Sequence, residues 1–382
     1  MPTNPFNIHE DENTSGFRPC IIASMSTTRR IFVESGLAAF GAAASASSAV
    51  KKPLAPLTPG IKITLQIPSN FTDEDLAFAR QMGIDYVTVG TTGGTYETFA
   101  SFKKRIEAVG LHVTNIGNTN VHNMPEVTLN LPGRDRKIEE YKQYLRNLGR
   151  AGIYYTTYAH MGNGIWRSPS EPTRGGAPAG SFHLATAKGH WMDKVFEPPL
   201  THGRKFSKEE IWENYTYFIK QVAPVAEEQG IRIGIHPDDP PMPELGGVPR
   251  CIFGNFAGYI RAMEIANSPN VGVCLCCGTW MEGGKYMGRN AFEAAREFQR
   301  MGKLWKIHFR NVSAPVPDFV EAFVDGGYTD MKKLMRTLVD IDFRGILIAD
   351  HVPNMVGGRP GWGFSLGYIK ALHDMALDER RA

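Results

Sequence analysis

The 382-residue chain has no long hydrophobic run, no block of like charges, no low-complexity tract and no disulfide framework, and each absence excludes something. A formal charge of +3 without a concentrated basic stretch leaves no electrostatic footprint for nucleic acid. The modestly apolar segment at 33–44 is too short for an ordinary transmembrane helix, which needs about 20 apolar residues. Five cysteines do not form a pairing pattern; Cys274, Cys276 and Cys277 crowd one short segment and read first as small buried hydrophobes. Strand alternation there puts Cys276 on the face of Cys274 and opposite Cys277. With 42% hydrophobic and 21% charged residues, the chain is an ordinary globular one, of a size that a single α/β barrel reaches.

The first fifty residues read as lying outside the fold. Thr28-Arg29-Arg30-Ile31-Phe32 precedes an Ala-rich stretch ending Ala44-Ser45-Ala46, which resembles a bacterial twin-arginine export signal. Residues 1–50 are therefore expected to be a signal peptide with an upstream extension, Met25 being the effective start, and 51–382 the catalytic domain. The twin-arginine translocase carries folded protein, so a metal would be acquired in the cytoplasm. The mature protein is then expected in the periplasm or otherwise outside the inner membrane.

After residue 60 the pattern is strand, helix, glycine, strand. Strands are predicted at 61–67, 86–89, 112–116, 154–158, 232–236, 272–276, 305–309 and 346–350. Helices are predicted at 73–82, 95–109, 137–151, 208–229, 257–266, 291–301, 330–339 and 366–377. Thr72-Asp73-Glu74-Asp75 and Ser207-Lys208-Glu209-Glu210 are cap-like starts, and Gly83, Gly110, Gly152 and Gly230 mark ends. Eight such units mean a parallel sheet closed on itself, a (β/α)8 TIM barrel in one domain. One connection breaks the rhythm: 159–206, about 45 residues rich in Gly, Pro, Ser and aromatics, follows strand 4. It is expected to be a long loop at the active-site mouth, read as a lid in preference to a merely decorative insertion.

Four segments end four consecutive β-branched runs: His236-Pro237-Asp238-Asp239-Pro240-Pro241, Leu275-Cys276-Cys277-Gly278, His308-Phe309-Arg310-Asn311 and Asp350-His351. Active sites of this fold lie at the C-terminal strand ends, so these donors converge. His236, Cys276, His308 and Asp350 are a mixed N, S, O set suited to a borderline divalent cation, zinc included, rather than Mg²⁺ or Ca²⁺. Asp238 and Asp239 read as turn-forming groups or as groups orienting His236. Trp166, Trp280 and Trp362 fall in strand-end loops, where each could stack on a sugar or simply pack.

Together with Val121-His122, Arg134-Asp135-Arg136-Lys137, Ile211-Trp212-Glu213-Asn214 and Pro249-Arg250, these segments resemble the mannonate dehydratases across roughly residues 115–375. The resemblance implies that His236, Cys276, His308 and Asp350 bind a divalent metal, most often Mn²⁺, with Fe²⁺, Co²⁺ and Zn²⁺ also compatible. It implies substrate or acid–base roles for His122, Arg310 and His351; Arg310 could hold a carboxylate or another sugar oxygen, or equally pair with a structural carboxylate. The reaction implied is conversion of D-mannonate to 2-keto-3-deoxy-D-gluconate and water. Val320 and Val324 stand where the family usually has His, Ile348-Ala349 replaces Arg-Pro, Asn123 replaces an acidic residue and Trp362 replaces Tyr. These departures point to a less acidic or differently shaped sugar.

Two other functions fit the same pattern. One is an exported isomerase, epimerase or lyase of the xylose-isomerase-like barrels, acting on a neutral or oxidised sugar; its usual pair of Glu is absent here. The other is a secreted carbohydrate-binding barrel without catalysis, which retention of all four donors opposes. The partners expected are a small sugar acid or sugar, the translocase during export, and a second copy of the chain in a homo-oligomer.

Overall fold

The computed structural model describes residues 51–382; the expected export signal lies outside the described residues. Eight strands form one parallel sheet: β1 (Lys62–Pro68), β2 (Tyr86–Thr91), β3 (His112–Asn118), β4 (Tyr155–Tyr158), β5 (Arg232–Ile235), β6 (Val271–Cys276), β7 (Leu304–Phe309) and β8 (Ile346–Ala349). Their spatial order, β3-β2-β1-β8-β7-β6-β5-β4, is the chain order wrapped on itself. The remaining seam is bridged where Asn123 meets Ala159 and the Ala159 N–H donates to the His122 carbonyl at 2.8 Å. This is the expected TIM barrel.

The sequence builds it in simple ways. β6 and β7 are buried along their whole length, which is why they read as continuous apolar runs. Helix starts are fixed by reciprocal bonds between Thr72 and Asp75, Ser207 and Glu210, and Asn290 and Glu293. The helix Lys208–Gln229 stops at Gly230, whose φ of 66° a side chain would resist. Among the described residues, no helix is long and apolar enough to cross a membrane.

Register carries the site. Cys276 pairs with His308 and His308 with Ile348, so the last inward-facing residues of β6 and β7 stand side by side. Val273 pairs with Ile235, which places His236 beside Cys274 at the same rim.

The connection after β4 is the correction to the sequence reading. It is not an irregular loop: it contains strands Ile165–Pro172, Pro178–His183, Lys188–Trp191 and Lys194–Phe196. With Asn311–Val312 and Asp318–Ala322, from the exit of β7, they make a six-stranded sheet paired antiparallel throughout. Two connections far apart in the chain thus form one arm over the C-terminal face of the barrel.

Candidate active site

His236, Cys276 and His308 are buried, and their ligand atoms lie within 4.8 Å of one another. Asp350 adjoins them: its Oδ2 is 3.4 Å from His308 Nδ1 and 3.8 Å from Cys276 Sγ. The surroundings of each donor favour a metal. His236 Nδ1 lies 2.7 Å from the Pro237 carbonyl, which can only accept, so Nδ1 carries the proton and Nε2 presents a lone pair. His308 Nε2 is held by Cys274 Sγ at 3.3 Å, while His308 Nδ1 is buried without a hydrogen-bond partner. Its one polar neighbour is the Asp350 carboxylate at 3.4 Å, so imidazole and carboxylate face each other as two ligands of one ion would. Cys276 Sγ accepts from the Thr279 N–H at 3.4 Å and its hydroxyl at 3.1 Å, which fix the sulfur at the rim. Two imidazoles, a thiolate and an adjacent carboxylate fit a borderline divalent ion.

A cavity of about 600 Å³ opens beside these donors, with His122, Trp191, Lys306, His308, Asp350, His351 and Trp362 in its walls. His122 and His351 enter it from different directions. His122 Nδ1–H donates to the Thr157 carbonyl at 3.1 Å, so Nε2 holds its lone pair. Burial, then the neighbouring His236, lowers its pKa to about 3. His351 Nδ1–H donates to Glu321 Oε1 at 2.5 Å. Burial alone would lower the His351 pKa, but the carboxylates of Glu321 and Asp350 outweigh it and hold it at about 9. His351 also adopts φ 44°, a left-handed backbone that costs a non-glycine residue about 1 kcal/mol.

Behind His351 lies a buried ion cluster. Arg310 donates from Nε to Asp350 at 3.0 Å, from Nη1 to Glu282 at 2.6 Å and from Nη2 to Thr279 at 3.0 Å, with Asp239 at 3.4 Å. Arg167, from the arm, donates to Asp239 at 2.6 Å and to Glu321 at 3.2 Å. Burial raises the Glu282 pKa to about 7 despite Arg310, while Glu321, which burial would also raise, is held at about 2 by His351 and Arg167. Gly278 makes the cluster sterically feasible: a Cβ there would collide with the Arg310 side chain.

The expected site residues therefore occupy distinct places. His236, Cys276, His308 and Asp350 gather at the rim, and His122 and His351 face the cavity. Arg310, expected to grip substrate, is fully buried and has protein oxygens on its guanidinium. Asp239 belongs to the ion cluster, and the group orienting His236 is a backbone carbonyl rather than either aspartate. Trp166 and Trp280 are buried, Trp280 among Tyr259 and Phe298; only Trp362 of the three lines the cavity. Sequence reasoning missed Trp191, which stacks on His122 at 5.6 Å between ring centroids, together with Arg167, Glu282 and the role of Glu321. Trp191 and Arg167 sit in the arm, whose strands were not foreseen.

The family model for D-mannonate dehydratase (UxuA) matches residues 89–185 and 181–377. Mannonate dehydratase 2 of Halalkalibacterium halodurans is 32% identical over 309 residues, covering 75% of this chain and 85% of the relative. The mannonate dehydratase of Streptococcus equi subsp. zooepidemicus is 32% identical over 307 residues, covering 74% and 79%. The crystal structure of mannonate dehydratase from Streptococcus suis serotype 2 superposes with a TM-score of 0.72 at 24% identity, over 84% of this chain and 96% of that one. The protein belongs to the mannonate dehydratase family of metal-dependent hydro-lyases.

Proposed function

We propose that the protein dehydrates D-mannonate, or a closely related aldonate, to the 2-keto-3-deoxy acid, with His236, Cys276, His308 and Asp350 holding Mn²⁺. The observation that carries this reading is the pair His122 and His351: both rings are anchored through Nδ1, and both line one cavity beside the metal donors. Dehydration needs such a pair. A base takes the proton from C2, the carbon bearing the carboxylate, and an acid protonates the hydroxyl leaving C3. His122, with its Nε2 lone pair free, is the base. His351, whose Nδ1–H is held by Glu321, delivers the proton from Nε2. Water departs, and the resulting enol takes a solvent proton at C3 to become the ketone. A bound divalent ion supplies Lewis-acid stabilisation of negative charge developing on the substrate oxygens. Arg310 serves by holding Asp350, Glu282 and Asp239 in place rather than by touching substrate.

The test is a panel of aldonates, aldoses and ketoses offered to the manganese-loaded protein. D-mannonate, or another aldonate, should yield a ketoacid. Turnover confined to neutral or keto sugars would replace this reading with isomerisation or epimerisation.

We further propose that Arg29-Arg30 direct export of the folded, metal-loaded protein. A reporter fused behind residues 1–50 should reach the periplasm, and Arg29→Lys with Arg30→Lys should retain it inside; equal export of both fusions would refute the signal.

A further inference from the structure

Arg310 is covered by protein oxygens and does not line the cavity; the proposed metal and His351 are the positive groups at the rim of that cavity. Lys306 stands in its wall, on β7 two residues before His308. Alternation turns both side chains into the barrel and sets the lysine one layer deeper, about 7 Å along the strand. Lys306 is 4% exposed, yet among the described residues it has neither an ion-pair partner nor a hydrogen-bond partner. A buried amine without a contacting partner is left with unfilled hydrogen bonds, which an incoming carboxylate would satisfy. Around it the floor of the cavity is uncharged: Gln66, Thr88, Asn115 and Thr157. The Asn115 side-chain oxygen there is buried and unpartnered, ready to accept from a hydroxyl.

We propose that Lys306 is the specificity-determining residue of this cavity, receiving the carboxylate of a sugar acid and so selecting aldonates over neutral sugars of the same length. The proposal deepens the dehydratase reading and rests on it for the substrate class. It assigns to a deep lysine the role that the sequence suggested for Arg310. It also fixes polarity: the acid end of the substrate points into the barrel and the polyol tail towards Trp191 and Trp362 at the mouth.

The test compares manganese-loaded wild type with Lys306→Met, Lys306→Gln and Lys306→Arg. Calorimetry would measure a carboxylate ligand, 2-keto-3-deoxy-D-gluconate, and a neutral one, D-mannitol; metal content would be measured alongside. Loss of one charge-assisted contact should weaken the carboxylate ligand about 30-fold in the two neutral variants, Lys306→Met and Lys306→Gln, and raise KM for mannonate similarly. Mannitol affinity and manganese content should stay within about twofold, and Lys306→Arg should recover most of the loss. Unchanged carboxylate affinity in a metal-replete neutral variant would overturn the proposal. Loss of manganese or of folding in both neutral variants would also overturn it, by making Lys306 a builder of the site. A wild type that binds the carboxylate ligand through Lys306 but turns over no aldonate would instead sink the dehydratase reading alone.

Discussion

His122 and His351 line the same cavity from walls built on opposite principles. The His122 wall carries no carboxylate: Thr157 lies behind the ring, Trp191 is stacked on it, Thr88 and Asn115 lie beyond, and Lys306 stands among them. Burial dominates there, and it disfavours a charged imidazole. The His351 wall is dense with charge, Glu321 and Asp350 touching or facing the ring and Arg167 and Arg310 braced against them. Coulombic attraction overrides the same burial. Two chemically identical side chains are thereby pushed apart in proton affinity, which is the arrangement that separates a base from an acid.

Cys276→Ala should remove the metal proposed to serve both walls; activity should fall by about 10⁴ and bound metal should disappear, so full metal occupancy in that variant would refute the ligand assignment. His122→Gln and His351→Gln each remove one proton-transfer group and should each lower kcat by about 10²–10⁴ with metal retained. The two should differ in exchange of the C2 hydrogen with solvent, lost when the base is gone and surviving when only the acid is; identical exchange in both variants would abolish the distinction between the walls. Glu321→Gln leaves the His351 ring but removes its carboxylate, for which a loss of about 10–100-fold in kcat is expected without change in metal content.

The smallest effect lies in the arm. His183 bridges Asp318 and Glu171, and hydrogen bonds from His183 to those carboxylates raise its pKa above 6.5. A raised folded-state pKa means that its contribution is complete below the unfolded value near 6.5 and is lost as pH rises through the folded one. Hydrogen exchange of strands Pro178–His183 and Asp318–Ala322, corrected for intrinsic rate, should therefore quicken slightly at alkaline pH in wild type and not in His183→Gln. Because these groups are exposed, the difference should be small.

The barrel and its rim donors were legible in the sequence for one physical reason. A parallel strand buried on both faces reads as a short apolar run, and the donor follows it directly, as Cys276 follows Val271–Leu275. The arm was not legible, because its first strand carries Pro169 and Pro172, and Asp318–Ala322, which pairs with Pro178–His183, lies beyond three further barrel units. The ion cluster was hidden likewise. Arg310 was visible, but the groups that occupy it come from Asp239, Thr279, Glu282 and Asp350, and only folding brings them together. The resemblance suggested a substrate role for it and pairing with a structural carboxylate stood equally open; the groups around it are those of the second reading. Trp191 could have been suspected as an aromatic in a connection at the active-site mouth, yet nothing local marked it over Trp166 or Trp280.

The most direct test is the mass of the product formed from D-mannonate in D₂O by the manganese-loaded protein, with a chelated sample beside it. The account predicts a ketoacid lighter than the substrate by one water and carrying one carbon-bound deuterium at C3, with no product after chelation. A product that keeps the full composition of the substrate, or a ketoacid formed equally well without metal, would contradict it.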